Sequence, residues 1–596
     1  MLERAVPRRL GIGEALSKLQ GTSSKVRLSR LKIEKFRAIG SADIEFGEMV
    51  ALVGQNGAGK SSVLRALNAF FNFERERGDF EARRHDFTKT SQSVIEVTLT
   101  GLFGADLPTV EQGGDEVRAR LKFRRQEKWE CWSEGRWQAM PQGFHEALRK
   151  HFTFALVPVR RDHQVAHDPA GGLLERAVEE WVTNHSQRDR RSPQIAQVAS
   201  TLQKRSLAGL ERQLQKIAPF SGPFRFELKY TTPPDYRLLL QNLALTVCEG
   251  GQSIPLSDSG SGTQSMAVFA LYAYLAELES TTYLLGFEEP EQNLHPQAQQ
   301  QLMRNLARLG LQVVFTTHSP TIVDLLDHDD VVLCRRVPGK SRDLEIQISQ
   351  IRDDFFAERG LDREKYYKFH RRRNSDFLFA DYVVVTESPI DALVVEQVMS
   401  DAGVEPGENG ISFVALDGVE AIPYMYHLLK QLGIGAAYVV DKDYFLPYRT
   451  ANRRKDSLDS RGYPQYSEVP KSRTLLDDLF PKRAARDAVV RQLHSNHTEA
   501  MRTLKEVGFF CFRFAIEIDL VAAAAPRERL YDHFRISLQD RTESALLVDR
   551  AGALKSQEAL LKAIAGLDSR QLPVSFKCIR RELPRLAGAT RVAERR

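Results

Sequence analysis

The most specific chemistry in the chain lies in residues 50–62, VALVGQNGAGKSS. An apolar run feeds a glycine loop, and the loop opens a helix read over 63–71. Gly54, Gly57 and Gly59 let backbone N–H groups curl around phosphate oxygens with no Cβ in the way. The helix N-terminus adds partial positive charge. Lys60 is spaced to reach β- and γ-phosphates and Ser61 to offer its hydroxyl to Mg²⁺, with Asn56 and Ser62 in the same nucleotide-facing set. A second set of residues suits a different chemistry. Glu387 ends the apolar run YVVVT, and Asp441 and Asp443 follow the apolar run AAYVV. Hard carboxylate oxygens without histidine or thiol suit Mg²⁺ or Mn²⁺, and two such ions activate water and stabilise the leaving oxygen of a phosphodiester.

The elements that must position these groups can be read from the pattern. Residues 30–34 alternate as a strand, and Ile44 and Phe46 lie on a second strand leading into the loop. Strands are expected at 94–102, 117–123, 129–132 and 154–159. From 173 to 217 the apolar spacing becomes helical, which reads as an insertion and a possible dimer contact. Ser261, Gly262 and Gln264 sit in a Ser/Gly turn that opens a helix, a second phosphate-binding device. The run TYLLGF then delivers Glu288 and Glu289: the first can hold Mg²⁺ through water, and the second can activate the attacking water. The run VVFTT ends at His318, placed to contact a γ-phosphate. In the second half, strands at 382–386, 411–416 and 436–440 alternate with helices at 390–399 and 422–432. This βαβαβ pattern argues a parallel sheet whose sites lie at the carboxyl ends of its strands, where Glu387, Asp441 and Asp443 fall.

Composition sets the frame. At 596 residues, 42% hydrophobic and 27% charged, the chain is an ordinary soluble multidomain protein. No apolar stretch is long enough to span a bilayer, so a membrane partner is not expected. The five cysteines form no C-x-x-C pair, which suggests neither zinc nor a disulfide framework and fits a reducing cytoplasm. The net charge of +6 is modest, but basic clusters at 4–9, 371–373, 453–455 and 580–596 favour a polyanion partner beside a phosphate-chemistry site.

The order of the first-half motifs resembles an ABC-type ATPase head of the SMC, Rad-fifty and RecF group. Residues 54–61 look like Walker A, 261–264 like a divergent signature loop, Glu288-Glu289 like Walker B with its catalytic glutamate, and His318 like the switch histidine. Glu288 in place of aspartate, Thr263 in place of glycine, and the tail Glu291-x-x-Leu294-His295-Pro296 resemble the OLD (overcoming lysogenization defect) branch. Glu387 and Asp441-x-Asp443 resemble the two signatures of a TOPRIM domain, although Ser388-Pro389 stands where glycine often follows the glutamate. The resemblance adds Asp391, Glu517 and Asp519 as further acids for metal, and Lys555 or Lys577 as the lysine that assists phosphate chemistry.

The implied architecture is α/β: an ABC ATPase head with a helical insertion, then a parallel-sheet TOPRIM domain. The expected boundaries are a basic arm at 1–24, ATPase parts at 25–170 and 226–340 around the insertion 171–225, a linker at 341–380, TOPRIM at 381–524 and a basic helical region at 525–596. The resemblance implies ATP and Mg²⁺ (or Mn²⁺) as cofactors, DNA as substrate, and pairing of heads into a dimer or tetramer. Length and layout further resemble the nuclease subunit of the Gabija anti-phage system, which implies a defence role and a helicase encoded alongside. Two other readings remain at this stage: a non-cutting ATPase clamp, and a strand-passing enzyme that would need a nucleophilic tyrosine.

Overall fold

The computed structural model describes residues 26–102, 115–158, 173–174, 176–178, 202–217, 225–230, 243–249 and 251–595, apart from 280, 293, 309, 353, 362–374, 417, 451–453 and 473. The basic arm at 1–24 and much of the helical insertion lie outside the described residues. The chain divides into two compact units, Met1–Arg352 and Asp353–Arg596.

The first unit is built on strands β1 (Arg27–Phe36), β2 (Ile39–Glu45), β3 (Met49–Val53), β4 (Ser93–Thr100), β5 (Glu116–Phe123), β6 (Glu127–Ser133), β7 (Arg136–Ala139) and β8 (Phe152–Val157). It continues with β9 (Arg225–Tyr230), β10 (Leu243–Glu249), β11 (Gln252–Pro255), β12 (Thr282–Glu288), β13 (Gln312–Thr317), β14 (Val331–Pro338) and β15 (Leu344–Gln350). Twelve of these form one sheet in the order β7-β6-β5-β4-β1-β2-β15-β14-β3-β13-β12-β8, while β9 to β11 form a small separate sheet. The segment β14-β3-β13-β12-β8 is parallel. Its strands read as continuous apolar runs because both faces are covered; all of β3 is buried. The wing from β7 to β2 is antiparallel, and β5 alternates buried and half-buried residues, as a strand with one wet face must. The helix Lys60–Phe71 buries Val63, Leu64, Leu67 and Phe70 against this sheet.

Sequence periodicity misplaced some of these elements. The stretch from 341, expected as linker, begins with β15, which pairs antiparallel with β14 and contributes a full strand to the ATPase sheet. Leu344, Ile346 and Ile348 alternate with polar residues there, and the polar half hid the strand. The strand expected at 154–159 is displaced toward the N-terminus, to Phe152–Val157.

The second unit holds β16 (Tyr382–Thr386), β17 (Ile411–Ala415), β18 (Gly435–Val440) and β19 (Phe509–Cys511), parallel throughout and ordered β17-β16-β18-β19. The helices Pro389–Ser400 and Ile422–Leu432 make the crossovers. The order matters for chemistry: β16 and β18 are hydrogen-bonded neighbours, so the residues just past their carboxyl ends meet. The basic C-terminal region is part of this unit, because the helix Val574–Arg595 packs on Pro389–Ser400 and on β19. Among the described residues no helix is long and apolar enough to cross a membrane.

Candidate nucleotide and metal sites

The loop after β3 takes the backbone that its glycines permit. Gly54, Gly57 and Gly59 have φ of 142°, 72° and 93°. A Cβ on Gly54 would collide with the Cys334 carbonyl oxygen of β14, and one on Gly59 with the tip of Ile346 in β15. Lys60 opens the helix with its Nζ turned back onto the loop, donating to Gly54 O and Gln55 O at 2.9 Å each. Burial pulls its amine down to about 8, so an added anion nearby would favour the charged form.

The cleft over this loop, about 460 Å³, is lined by Asn56, Gly57, Gly59, Lys60, Ser61 and Ser62 together with Glu289, Thr316 and His318. Strands β12 and β13 deliver the last three. Glu289 follows β12 at φ 45°, a strained geometry held by hydrogen bonds from its N–H to Thr316 O (3.2 Å) and Thr316 Oγ1 (3.1 Å). His318 Nε2 lies 3.7 Å from Glu289 Oε1. Burial, followed by the Lys60 charge, pushes the imidazole down, which favours its neutral form. Glu291 braces the same turn: one oxygen accepts from Thr317 Oγ1 at 2.7 Å and from His318 N at 2.9 Å. Glu288 ends β12 and places its charge in the field of Arg37 and Arg65. Lys60, Ser61, Glu289 and His318 are therefore brought together in one cleft.

Among the described residues, Gly262, Thr263 and Gln264 do not line this cleft. The turn is fixed from within: Gln264 Nε2 donates to Leu256 O, Ser257 O and Ser259 O at 3.0–3.2 Å, and Gly262 leaves no room for a Cβ beside Leu294. Three arginines of the cleft, Arg37, Arg84 and Arg342, were missed by the sequence reading. They come from the β1–β2 turn, the loop before β4 and the β14–β15 turn, which share no spacing with the glycine loop. A buried network stands behind them: Glu76 accepts from Arg65 Nη1 (2.9 Å) and Asn68 Nδ2 (2.6 Å) and meets His85 Nε2 (2.9 Å), and His85 O accepts from the Arg37 N–H (2.9 Å).

In the second unit, oxygens of Glu387, Asp441 and Asp443 lie within 4.8 Å of one another. Glu387 follows β16 and accepts from the Asp441 N–H at 2.9 Å, which ties the two strand ends together. Burial, with the Asp443 charge beside it, pushes the Glu387 carboxyl up to about 8. Burial and Glu387 likewise raise Asp441 well above the carboxylate range. Acids that cannot all ionise side by side are a fit for a divalent cation, which relieves the repulsion that raises them.

The other acids have different surroundings. Asp391 caps the helix Pro389–Ser400 in a reciprocal box with Ser388 (3.1 and 3.2 Å), and its charge is felt at Glu387 and Asp441. Glu517 is 2% exposed, pairs with Arg454 Nη1 at 2.7 Å and lies 3.5 Å from Lys555 Nζ. Asp519 is not brought into the cluster: its oxygens accept from Arg513 N and Phe514 N at 2.9 Å and from Ser575 Oγ at 2.5 Å. One lysine that no motif marked, Lys471, donates to Asp443 O at 3.3 Å and bears on Glu387 and Asp443 electrostatically.

Comparison with known proteins agrees with this layout. An AAA-domain family whose description names the AbiEii toxin of type IV TA systems matches residues 49–324. The overcoming lysogenization defect protein-like TOPRIM domain matches residues 378–443. The chain is 24% identical over 459 residues to the OLD nuclease of Thermus scotoductus, covering 70% of this chain and 82% of the relative. It is 22% identical over 484 residues to the Old nuclease of Escherichia phage P2, covering 73% and 80%. Among solved structures, an Smc head bound to the C-terminal winged-helix domain of ScpA aligns at 14% identity and a TM-score of 0.39, covering 54% of this chain and 98% of that one. The chain therefore pairs an ATPase domain of AAA/ABC type with an OLD-like TOPRIM domain and is similar to OLD nucleases over most of its length.

Proposed function

We propose that the protein is an ATP-binding, metal-dependent DNA endonuclease in which nucleotide controls access to the TOPRIM site. The observation that carries this reading is the cluster of Glu387, Asp441 and Asp443 at the carboxyl edge of the β16–β18 pair. These three carboxylates would hold divalent ions, with Asp391 and Glu517 as the next acids around them. Bound Mg²⁺ or Mn²⁺ would supply a lowered water pKa and neutralise charge on the phosphodiester. Ionising the raised Glu387 carboxyl is the chain's own part, because a ligand must shed its proton first.

In the first unit the loop N–H groups and Lys60 would cradle the phosphates of ATP, Ser61 and Glu288 would hold its Mg²⁺, and Glu289 would orient the attacking water. His318, kept neutral, would contact the γ-phosphate. The internally fixed turn at 261–264 supports head pairing, in which it completes the nucleotide cleft of a second copy. A defence role against phage and a helicase partner rest on family likeness alone.

Supercoiled plasmid incubated with Mg²⁺ or Mn²⁺, with and without ATP, tests the reading. Metal-dependent nicked or linear product is expected, and Lys60→Ala should change the ATP dependence while leaving metal dependence in place. ATP hydrolysis without any cut DNA, under either metal, would sink it in favour of a non-cutting clamp.

A further inference from the structure

After the D-x-D turn, residues 445–450 and 454–471 pack back on that turn as a strap. Its backbone closes on itself through Arg449 N to Gln465 O (3.0 Å), Ser467 N to Pro447 O (2.8 Å) and Lys471 N to Phe445 O (2.8 Å). Tyr448 and Tyr466 stack at 5.4 Å, and Lys442, the residue between the two aspartates, lies 5.1 Å from the centre of the Tyr466 ring. The strap is thus anchored to the very turn that carries the metal-site acids.

It also brings charge. Arg454 gives Nη1 to Glu517, while its Nη2 is buried with no hydrogen-bond partner. Lys471 gives Nζ to Asp443 O, and Tyr448 hydrogen-bonds the Asp443 carboxylate. The site around them gathers Glu387, Asp391, Asp441, Asp443 and Glu517, a field that repels any polyanion. A guanidinium edge without a partner and an amine resting on a carbonyl are the groups that a phosphate oxygen would engage, since Arg and Lys are the usual phosphate binders.

We propose that the strap is the substrate clamp of the TOPRIM site, with Arg454 and Lys471 holding phosphate oxygens of the DNA strand to be cut. The proposal rests on the nuclease reading above and adds which residues seat the strand. The test uses the full chain and measures binding of a labelled DNA duplex in Ca²⁺ across a salt series, Mn²⁺ binding by calorimetry, and cleavage in Mn²⁺. Lys471→Gln should flatten the log–log salt slope by about 0.9, the loss of one phosphate contact. It should also slow cleavage by about 10²-fold, as expected for a lost donor to developing charge, with Mn²⁺ affinity as in the wild type. Lys471→Arg should keep the wild-type slope. Arg454→Lys keeps the charge on Glu517 but loses the second guanidinium edge, and should weaken DNA binding at an unchanged melting temperature. Unchanged slopes in Lys471→Gln, or a change only in Mn²⁺ affinity, would overturn the clamp and leave the lysine as a counter-charge to the acids. If the slopes change as stated and the wild type cuts nothing, the clamp stands and the nuclease reading falls.

Discussion

At the scale of single residues, the second unit gathers acids that are uncomfortable without a partner. Glu387 has an ordinary value near 4.5 that burial and Asp443 raise to about 8. Between those values the unfolded chain has released a proton that the folded chain keeps, so stability falls as pH rises through that window and is undiminished below it. In metal-free buffer the melting temperature of the wild type should therefore drop between pH 5 and pH 8 more steeply than that of Glu387→Gln, and Mn²⁺ should restore it at the upper end. Parallel curves for the two proteins would contradict the assignment. Asp519 gives the opposite expectation. Three donors saturate it, so Asp519→Ala should destabilise the second unit by roughly 2–4 kcal/mol in denaturant unfolding, the cost of stranding buried donors. Mn²⁺ affinity should be retained, and a loss of metal binding with stability intact would place Asp519 among the ligands instead. Glu387, Asp441 and Asp443 were legible in the sequence because each follows an apolar run that could only be a buried strand. Arg37 and Lys471 were not, because turns carry them and turns have no period; Arg454 was marked only as one of the basic cluster 453–455, with no link to the acids.

At the scale of elements, the glycine loop and its neighbours explain why the β3 region admits so little change. Gly54 has φ 142° and faces the Cys334 carbonyl, a backbone atom that cannot swing aside. Gly54→Ala should cost about 1–3 kcal/mol of stability and abolish binding of a fluorescent ATP analogue. An alanine variant that binds nucleotide with wild-type affinity would mean that the loop is not built on this backbone. The parallel strands were readable because covered sheets demand continuous apolar runs, as β3 and β16 show. Several strands escaped, two of them for plain physical reasons. In β15 one face is polar, and β19 is three residues long, below the length at which a pattern exists.

At the scale of the whole molecule, one chain carries an ATPase unit and a carboxylate-lined unit, and the proposed function requires the first to govern the second. The cleft of the first unit already assembles Lys60, Ser61, Glu289 and His318 within one chain, whereas Gly262, Thr263 and Gln264 are not among the described residues that line it. Pairing of two copies is the arrangement that would use that turn. On this reading Glu289→Gln would bind nucleotide and hydrolyse it slowly, so with ATP it should shift the protein toward a larger species in sedimentation velocity. Lys60→Ala should not shift. Identical profiles for the two variants would remove nucleotide-driven pairing from the account. The two-unit layout was legible because each unit announces itself with its own strand-end chemistry. The division point was not, since β15 hides the end of the first unit in a polar stretch.

The most direct measurement is Mn²⁺-dependent cleavage of supercoiled plasmid by wild type, Glu387→Ala, Asp441→Asn and Asp519→Asn, run beside their melting curves. Cutting by the wild type that disappears in Glu387→Ala and Asp441→Asn while their melting curves show both variants folded, and that survives in whatever fraction of Asp519→Asn remains folded, is the predicted result. Wild-type cutting that persists undiminished in folded Glu387→Ala and Asp441→Asn would contradict the claim that this carboxylate cluster is the phosphodiesterase site.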